Sequence, residues 1–535
     1  MKLSIEGIKD KKEWEKAGIK LPSYDVEKVA SATKSAPVWV HFGIGNIFRI
    51  FIGGIADSLL EQGLSDKGIT CVETFDYDVV DKIYEPFDNL VMAVTLKEDG
   101  STDKKVLGSL TEAVKAQSSV EAEWSRLKTI FASPKLQMVS FTITEKGYAL
   151  HDAKGEFFPF IKSDIDNGPD KAASAMAVVA ALLFERFNTC KAPLAVVSMD
   201  NCSHNGEKLR NSITEMVSEW AKKGFVGEDF VQYVNDENTI SFPWSMIDKI
   251  TPRPADTVAK ALEEAGVEAM APVITSKKTY IAPFVNAEGP QYLVIEDRFP
   301  NGRPQLEKAG VYMTDRDTVN KVERMKVTTC LNPLHTALAV YGCVLGYDLI
   351  ADEMKDSELS ELVRRIGLVE GMPVVTNPGI IDPVKFANEV INVRIPNPFM
   401  PDTPQRIATD TSQKVGIRYG ETIKAYVAKD GSASSLTAIP LAIAGWCRYL
   451  LGVDDNGESF ELSPDPMAEE LKEQLKGIVI GDASTYTGQL RNLLSNANIF
   501  GINLYEAGIG DKIENMFIEE ISGKGAVRET LRKYL

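Results

Sequence analysis

The chain has 535 residues, 44% of them apolar and 25% charged, with a formal net charge of −17. That length exceeds what a single hydrophobic core serves, so two or more domains are expected. The acidic balance argues against nonspecific binding to nucleic acid or to an anionic membrane, and no segment approaches the roughly 18 uninterrupted apolar residues of a membrane span.

Residues 1–35 are polar and charge-mixed and read as a surface extension, with no hydrophobic signal region at the start. Residues 36–42 form a short apolar strand that runs into Gly43-Ile-Gly45-Asn46-Ile47-Phe48-Arg49, and a helical pattern follows through Gln62. A second strand, residues 68–72, ends at Glu73. Residues 136–144 and 193–199 are further buried strands with helical stretches between them. This alternation is the signature of an α/β fold built on a doubly wound parallel sheet. Near residue 310 the pattern changes to amphipathic helices, over 315–325, 333–347, 357–367, 383–392 and 434–451. The reading is a Rossmann-type domain over 1–312 and a mainly α-helical domain over 313–535, with the turn-rich segment 297–304 as a hinge.

The glycine turn lies between a strand and a helix, where a dinucleotide pyrophosphate binds. Gly43 permits the tight turn, and Gly45 lets the backbone approach the phosphates. Phe48 stands where the usual third glycine would be. Asn46, Ile47 and Arg49 complete the candidate phosphate loop, with Arg49 offering a charge-assisted contact. Glu73 can accept hydrogen bonds from the ribose hydroxyls, and with Asp76 and Asp78 it disfavours a 2′-phosphate. The expected cofactor is NAD. Two loops just beyond strand ends resemble site walls: Ser140 to Tyr148, with Thr144 and Glu145, and Asp200-Asn201-Cys-Ser-His204-Asn205-Gly206.

Hydride exchange at a carbinol carbon needs a proton carrier and donors to hold the oxygen. The four histidines (His41, His151, His204, His335) form no HxxxH or HExxH pattern, so no metal is expected. The only Tyr-x-x-x-Lys match, Tyr24 to Lys28, lies upstream of the glycine turn, in the wrong place for a short-chain dehydrogenase. Lys326, in Lys326-Val-Thr-Thr-Cys-Leu-Asn332-Pro-Leu-His335, is the better candidate, provided it is buried. Asparagine before proline is a favoured helix start, so Asn332 is read as an N-cap, and a loop is expected to separate Lys326 from the helix carrying His335. The six cysteines form no CxxC pair, the usage of reduced thiols, and a cytoplasmic location is expected.

Taken together, HFGIGNIFR, SFTITEKGY, SMDNCSHNG, FPWSMIDKITP, VIEDRFPNGRP, KVTTCLNPLHTALA, RIPNPF with TSQK, and GWCRYLLGVDDNG resemble, in order, the mannitol dehydrogenase and fructuronate reductase family of polyol-specific long-chain dehydrogenases. The resemblance implies a monomeric, metal-free NAD enzyme acting on a sugar acid or polyol. In it Lys326 is the general acid/base, Asn201 and Asn332 hold the reacting oxygen, and His335, Asp248 and Arg394, with Asn205, position the substrate. The activity it implies is interconversion of D-fructuronate and D-mannonate. Mannitol 2-dehydrogenase and tagaturonate reductase are alternatives, and a non-catalytic dinucleotide-binding protein is a reading from another class. One departure stands out: Asn332 follows Lys326 by six residues rather than the family's five. A bulge or loop adjustment between Val327 and Leu331 is therefore expected.

Overall fold

A computed structural model describes residues 1–535, which divide into two compact units, Met1–Asn320 and Lys321–Leu535. The segment 297–304, expected as a hinge, lies inside the first of them.

The first unit is organised by a six-stranded sheet of Trp39–Phe42 (β1), Ile69–Glu73 (β2), Leu110–Lys115 (β3), Met138–Phe141 (β4), Leu194–Ser198 (β5) and Ile240–Ser241 (β6). Every pairing is parallel and the spatial order is β3-β2-β1-β4-β5-β6, the doubly wound dinucleotide-binding order. β1, β2, β4 and β5 are buried along their whole length, which explains their near-continuous apolar runs. β3 and β6 escaped the sequence reading because each is short or carries charged residues. Gly53–Glu61 (α1), Glu121–Phe131 (α2), Ala175–Thr189 (α3) and Asn205–Lys222 (α4) supply the covering helices. The order reverses between β1 and β4, so the C-terminal ends of these two strands frame the crevice where such sheets take ligands.

The first 35 residues are not a surface extension. Ile19–Lys20 pairs in parallel with Lys104 and Lys105, and Trp14 is fully buried. A two-residue strand and one buried tryptophan leave no periodic trace among so many charges.

The second unit is helical, and several of its helices end in wide, π-helical turns. Arg316–Met325 (α5), whose start lies in the first unit, runs into a π-turn at Lys326–Cys330; then comes Asn332–Leu345 (α6). Further π-turns cover Arg365–Gly371, Val390–Arg394 and Gly416–Gly420. α6 packs on Ala438–Tyr449 (α7), which packs on Gly510–Glu520 (α8). α7 is buried at every position. No helix is long and apolar enough to cross a membrane.

Candidate active site

Gly43 follows β1 with φ +86°, and a Cβ there would fall against the Thr142 carbonyl oxygen and 2.7 Å from the Thr142 carbonyl carbon. Both demands require glycine. Gly45 differs: a Cβ would meet no protein atom within 4 Å, so its exposed backbone is open to close approach. Beside it, Asn46 Oδ1 is buried without a hydrogen-bond partner, as is Asp76 Oδ1 in the loop after β2. Thr275 donates to the other Asp76 oxygen at 2.6 Å. Ile47 is half-buried at the start of the following helical turn.

Glu73, at the end of β2, ties this loop to the glycine turn. Its Oε1 accepts the backbone N–H groups of Thr74, Phe75 and Asp76 at 3.0, 2.9 and 3.2 Å. Oε2 has only the Ile44 N–H, at 3.5 Å, and keeps capacity for a hydroxyl. Burial raises the carboxyl pKa, opposed by these backbone donors. A turn that only glycine can make, an open second glycine, and unpaired buried oxygens on both sides of it fit the adenosine pyrophosphate half of a dinucleotide.

Arg49 is a correction. Its side chain is 0% exposed, and its guanidinium donates to the Ala282 and Pro283 carbonyls at 2.8 and 2.9 Å, so it cannot reach a phosphate. Burial lowers its pKa to about 10. It locks the glycine-turn helix onto the link just before strand Phe284–Glu288, more than two hundred residues away in the chain, a partner no local pattern reveals. Arg49→Met should therefore destabilise the fold by about 3 kcal/mol through two orphaned carbonyls, at nearly unchanged NADH affinity. A melting curve paired with an NADH titration checks this; an affinity loss without a stability loss would restore the phosphate role.

Across the switch point, Thr144 follows β4 with φ 63° and ψ 161°, a region that non-glycine residues avoid at a cost of roughly 1–3 kcal/mol. Asp200 holds it there. One Asp200 oxygen accepts the Thr144 N–H at 3.0 Å, and the other accepts the Ile143 N–H at 2.9 Å and the Tyr148 hydroxyl at 2.5 Å. Burial raises the Asp200 pKa, with the Tyr148 hydroxyl opposing it. Glu145 is exposed and ion-paired with Lys208. Asn201 is exposed on the loop after β5.

Asn205 is a second correction. It is fully buried, donating to Ser198 O, Asp200 O and Ser245 Oγ at 3.3, 3.0 and 2.9 Å, and accepting the Ser245 N–H at 3.0 Å. Its amide is consumed in fastening α4 to strand Ser245–Asp248 and cannot bind substrate. Asp248 ends that strand, buried. Lys249 and Arg253, cations near the same motif, are also engaged: Lys249 donates to the Glu288 carbonyl at 2.8 Å, and Arg253 lies 4.8 Å from the Tyr280 ring centroid.

In the second unit, Lys326 is 3% exposed at the head of its π-turn. The Leu331 N–H bonds to the Lys326 carbonyl at 3.1 Å, an i to i+5 turn that takes up the extra residue between Lys326 and Asn332. No loop intervenes; only Leu331, at φ −132° and ψ −63°, breaks the helical path. Leu331 is also the N-cap, and Asn332 is the first helical residue with Pro333 next. The Asn332 amide is thus not used as a cap, and it makes no side-chain hydrogen bond within the protein.

His335 lies one turn on, half-buried and without a ring hydrogen bond. Burial lowers its pKa to about 4, with Arg394, Arg418 and Arg406 acting in the same direction and Asp402 against them. It is neutral at neutral pH. Because the folded value lies below the ordinary 6.5, the unfolded chain binds the proton first, and this residue withdraws stability as pH falls from about 6.5 to about 4. An imidazole NMR titration, tractable with four histidines, should show one midpoint near 4 that disappears in His335→Gln. Arg394, 2% exposed, ends its own π-turn.

Sequence reasoning missed Arg418. It sits in the π-turn Gly416–Gly420, where a Cβ on either glycine would collide with the Ile499 or Phe500 carbonyl. From this clamped turn Tyr419 donates to the Pro333 carbonyl at 3.0 Å and Arg418 to the Thr336 hydroxyl, both in the first turns of α6. The legible signal was an arginine flanked by two glycines four residues apart, just after the TSQK motif.

A Rossmann-type sheet with a dinucleotide turn, followed by a helical unit bearing a buried lysine, an uncommitted amide and a neutral imidazole, defines a dehydrogenase of the long-chain type. The Rossmann domain of mannitol dehydrogenases matches residues 38–308, and the mannitol dehydrogenase C-terminal domain matches residues 318–517. The D-mannonate oxidoreductase of Thermotoga maritima is 53% identical over 536 aligned residues, covering 100% of this chain and 99% of that protein. Two solved structures are similar at 26% identity. D-sorbitol dehydrogenase in substrate-free form has a TM-score of 0.75 over 96% of this chain and 98% of its own. The Pseudomonas fluorescens mannitol 2-dehydrogenase ternary complex with NAD and D-mannitol has 0.69 over 100% and 99%. The chain belongs to the mannitol dehydrogenase family.

Proposed function

We propose that this chain is an NAD-dependent oxidoreductase that interconverts D-fructuronate and D-mannonate. The observation that carries the reading is the end-to-end 53% identity with a D-mannonate oxidoreductase. The glycine turn, Glu73 and the unpaired Asn46 and Asp76 oxygens support NAD as the dinucleotide. Bound there, the nicotinamide supplies the hydride to the keto carbon or accepts it from the carbinol.

The remaining chemistry falls to the chain. In reduction the Lys326 ammonium gives its proton to the substrate oxygen as the carbinol forms, and in oxidation the neutral amine takes it back. The Asn332 amide, free of any cap, donates a hydrogen bond to that oxygen as charge develops. His335, neutral, orients a neighbouring hydroxyl without adding charge, and Arg394 and Asp248 hold the rest of the sugar chain. The proposed setting is cytoplasmic and monomeric; six free cysteines support a reducing compartment.

NADH oxidation measured with fructuronate, tagaturonate and fructose tests the reading. Fructuronate should give the highest kcat/KM. A preference for fructose would make the chain a mannitol 2-dehydrogenase, and turnover of none of the three would sink the enzyme reading.

A further inference from the structure

Four arginines, Arg49, Arg186, Arg394 and Arg448, are buried in the interior of this protein, and three of them, all but the Arg394 assigned above to the substrate, are held by carbonyls of the chain itself. Arg49 uses the Ala282 and Pro283 carbonyls. Arg186 donates to the carbonyls of Ala192, Phe131, Ser133, Leu136 and Pro193. Arg448 donates to those of Glu520, Val453 and Asp454. Such guanidiniums are structural cross-links, and their oxygen partners offset the cost of burial.

Arg418, half-buried, differs from these three. Its one hydrogen bond goes to a neutral hydroxyl, Thr336 Oγ1, and it forms no ion pair. Burial depresses its pKa to about 10, with no carboxylate opposing the shift. None of its nitrogens is sealed away without a partner, so those not bonded to Thr336 face an accessible space. Lys414, four residues earlier, is half-buried and donates only to the Thr409 carbonyl, at 2.5 Å. Burial and Arg418 both lower the Lys414 pKa.

The arginine is not loosely placed. Gly416 and Gly420 seat its turn against the backbone at Ile499 and Phe500, and the neighbouring Tyr419 bonds to the Pro333 carbonyl. Thr336, which receives the Arg418 bond, in turn donates to the Asn332 carbonyl at 3.0 Å. The guanidinium is therefore built rigidly onto the first turns of the helix that carries Asn332 and His335. A cation so placed, largely desolvated and lacking an anion, calls for one from the substrate.

We propose that Arg418 binds the carboxylate of the sugar-acid substrate and is the residue that selects an acid over a neutral polyol. The proposal rests on the sugar-acid reading above. The planar fork can meet both carboxylate oxygens, an interaction a neutral hydroxymethyl terminus cannot return, so the same arginine penalises mannitol or fructose by leaving its charge uncompensated.

The test compares wild type, Arg418→Gln and Arg418→Lys for KM and kcat with fructuronate, inhibition by D-mannonate and by D-mannitol, NADH affinity and melting temperature. Loss of a charged hydrogen-bonded contact should raise the fructuronate KM of Arg418→Gln by roughly 10- to 100-fold, more than kcat falls. Inhibition by D-mannonate should weaken in parallel while that by D-mannitol does not. Arg418→Lys should recover part of the KM, because a point charge replaces the fork. An unchanged KM, or a fall in kcat alone, overturns the proposal, as does equal weakening of both inhibitors. A joint loss of NADH affinity and melting temperature also overturns it, by making Arg418 structural. If wild type itself fails to reduce fructuronate, the sugar-acid reading falls first and takes this proposal with it.

Discussion

Lys326→Ala should lower kcat by a factor of ~10² or more while leaving NADH affinity nearly unchanged. The lysine is 3% exposed, at the start of a wide helical turn, and belongs to a different unit from the dinucleotide turn. Removing it deletes the proton carrier without disturbing Gly43, Gly45 or Glu73. The variant also loses a buried charge, so its melting temperature has to be followed alongside turnover. The informative measurement is single-turnover NADH oxidation at saturating substrate, which separates the chemical step from binding. A near-wild-type rate would remove Lys326 from its role. A small external amine that restores part of the rate would strengthen it.

The second large effect is expected at Gly43. In Gly43→Ala the backbone keeps φ near +86°, a left-handed conformation that costs an alanine about 1–2 kcal/mol, and the new methyl group meets the Thr142 carbonyl as well. Relief requires moving Thr142, whose hydroxyl donates to the Gly43 carbonyl at 2.8 Å and whose successor Ile143 is held by Asp200. The crevice between β1 and β4 would therefore shift as a unit. NADH affinity should fall at least ~10-fold, together with a drop in melting temperature. Gly45→Ala provides the contrast. Its Cβ would meet no protein atom within 4 Å, so stability should hold while NADH affinity falls, because the methyl occupies the phosphate approach. Equal stability losses in the two variants would contradict this division of labour.

These pairs show where local sequence suffices and where it does not. The glycine turn, the strand before it and the acidic residue at the end of β2 are legible because each is specified by its own few residues: chain direction, a tight turn and a strand end. Arg49 and Asn205 look equally suited to a ligand in the same windows, yet their polar atoms are used by Ala282, Pro283 and Ser245, partners fixed only once distant strands meet. The strand β3 and the short pairing of Ile19–Lys20 are invisible for a related reason, since their charged neighbours mask the burial of one face. Arg418 was hidden in the opposite sense. It reads as one more solvated helix cation, and only the two glycine contacts and the missing ion pair distinguish it.

The wide turn at Lys326–Cys330 bears on how sequences of this kind are aligned. A π-turn is a helix carrying one residue more than the α-helix needs, and it confines that surplus to a single turn. A spacing longer by one between a lysine and the asparagine that follows it is then an insertion healed in place, not a site taken apart. The converse holds for shortening. Deleting Thr328 would return the turn to α-helical pitch and leave Lys326 on the face it now occupies relative to Asn332. With three further turns of the same kind in the second unit, at Arg365–Gly371, Val390–Arg394 and Gly416–Gly420, a length change of one residue at these points is absorbed within the helix rather than as a new loop.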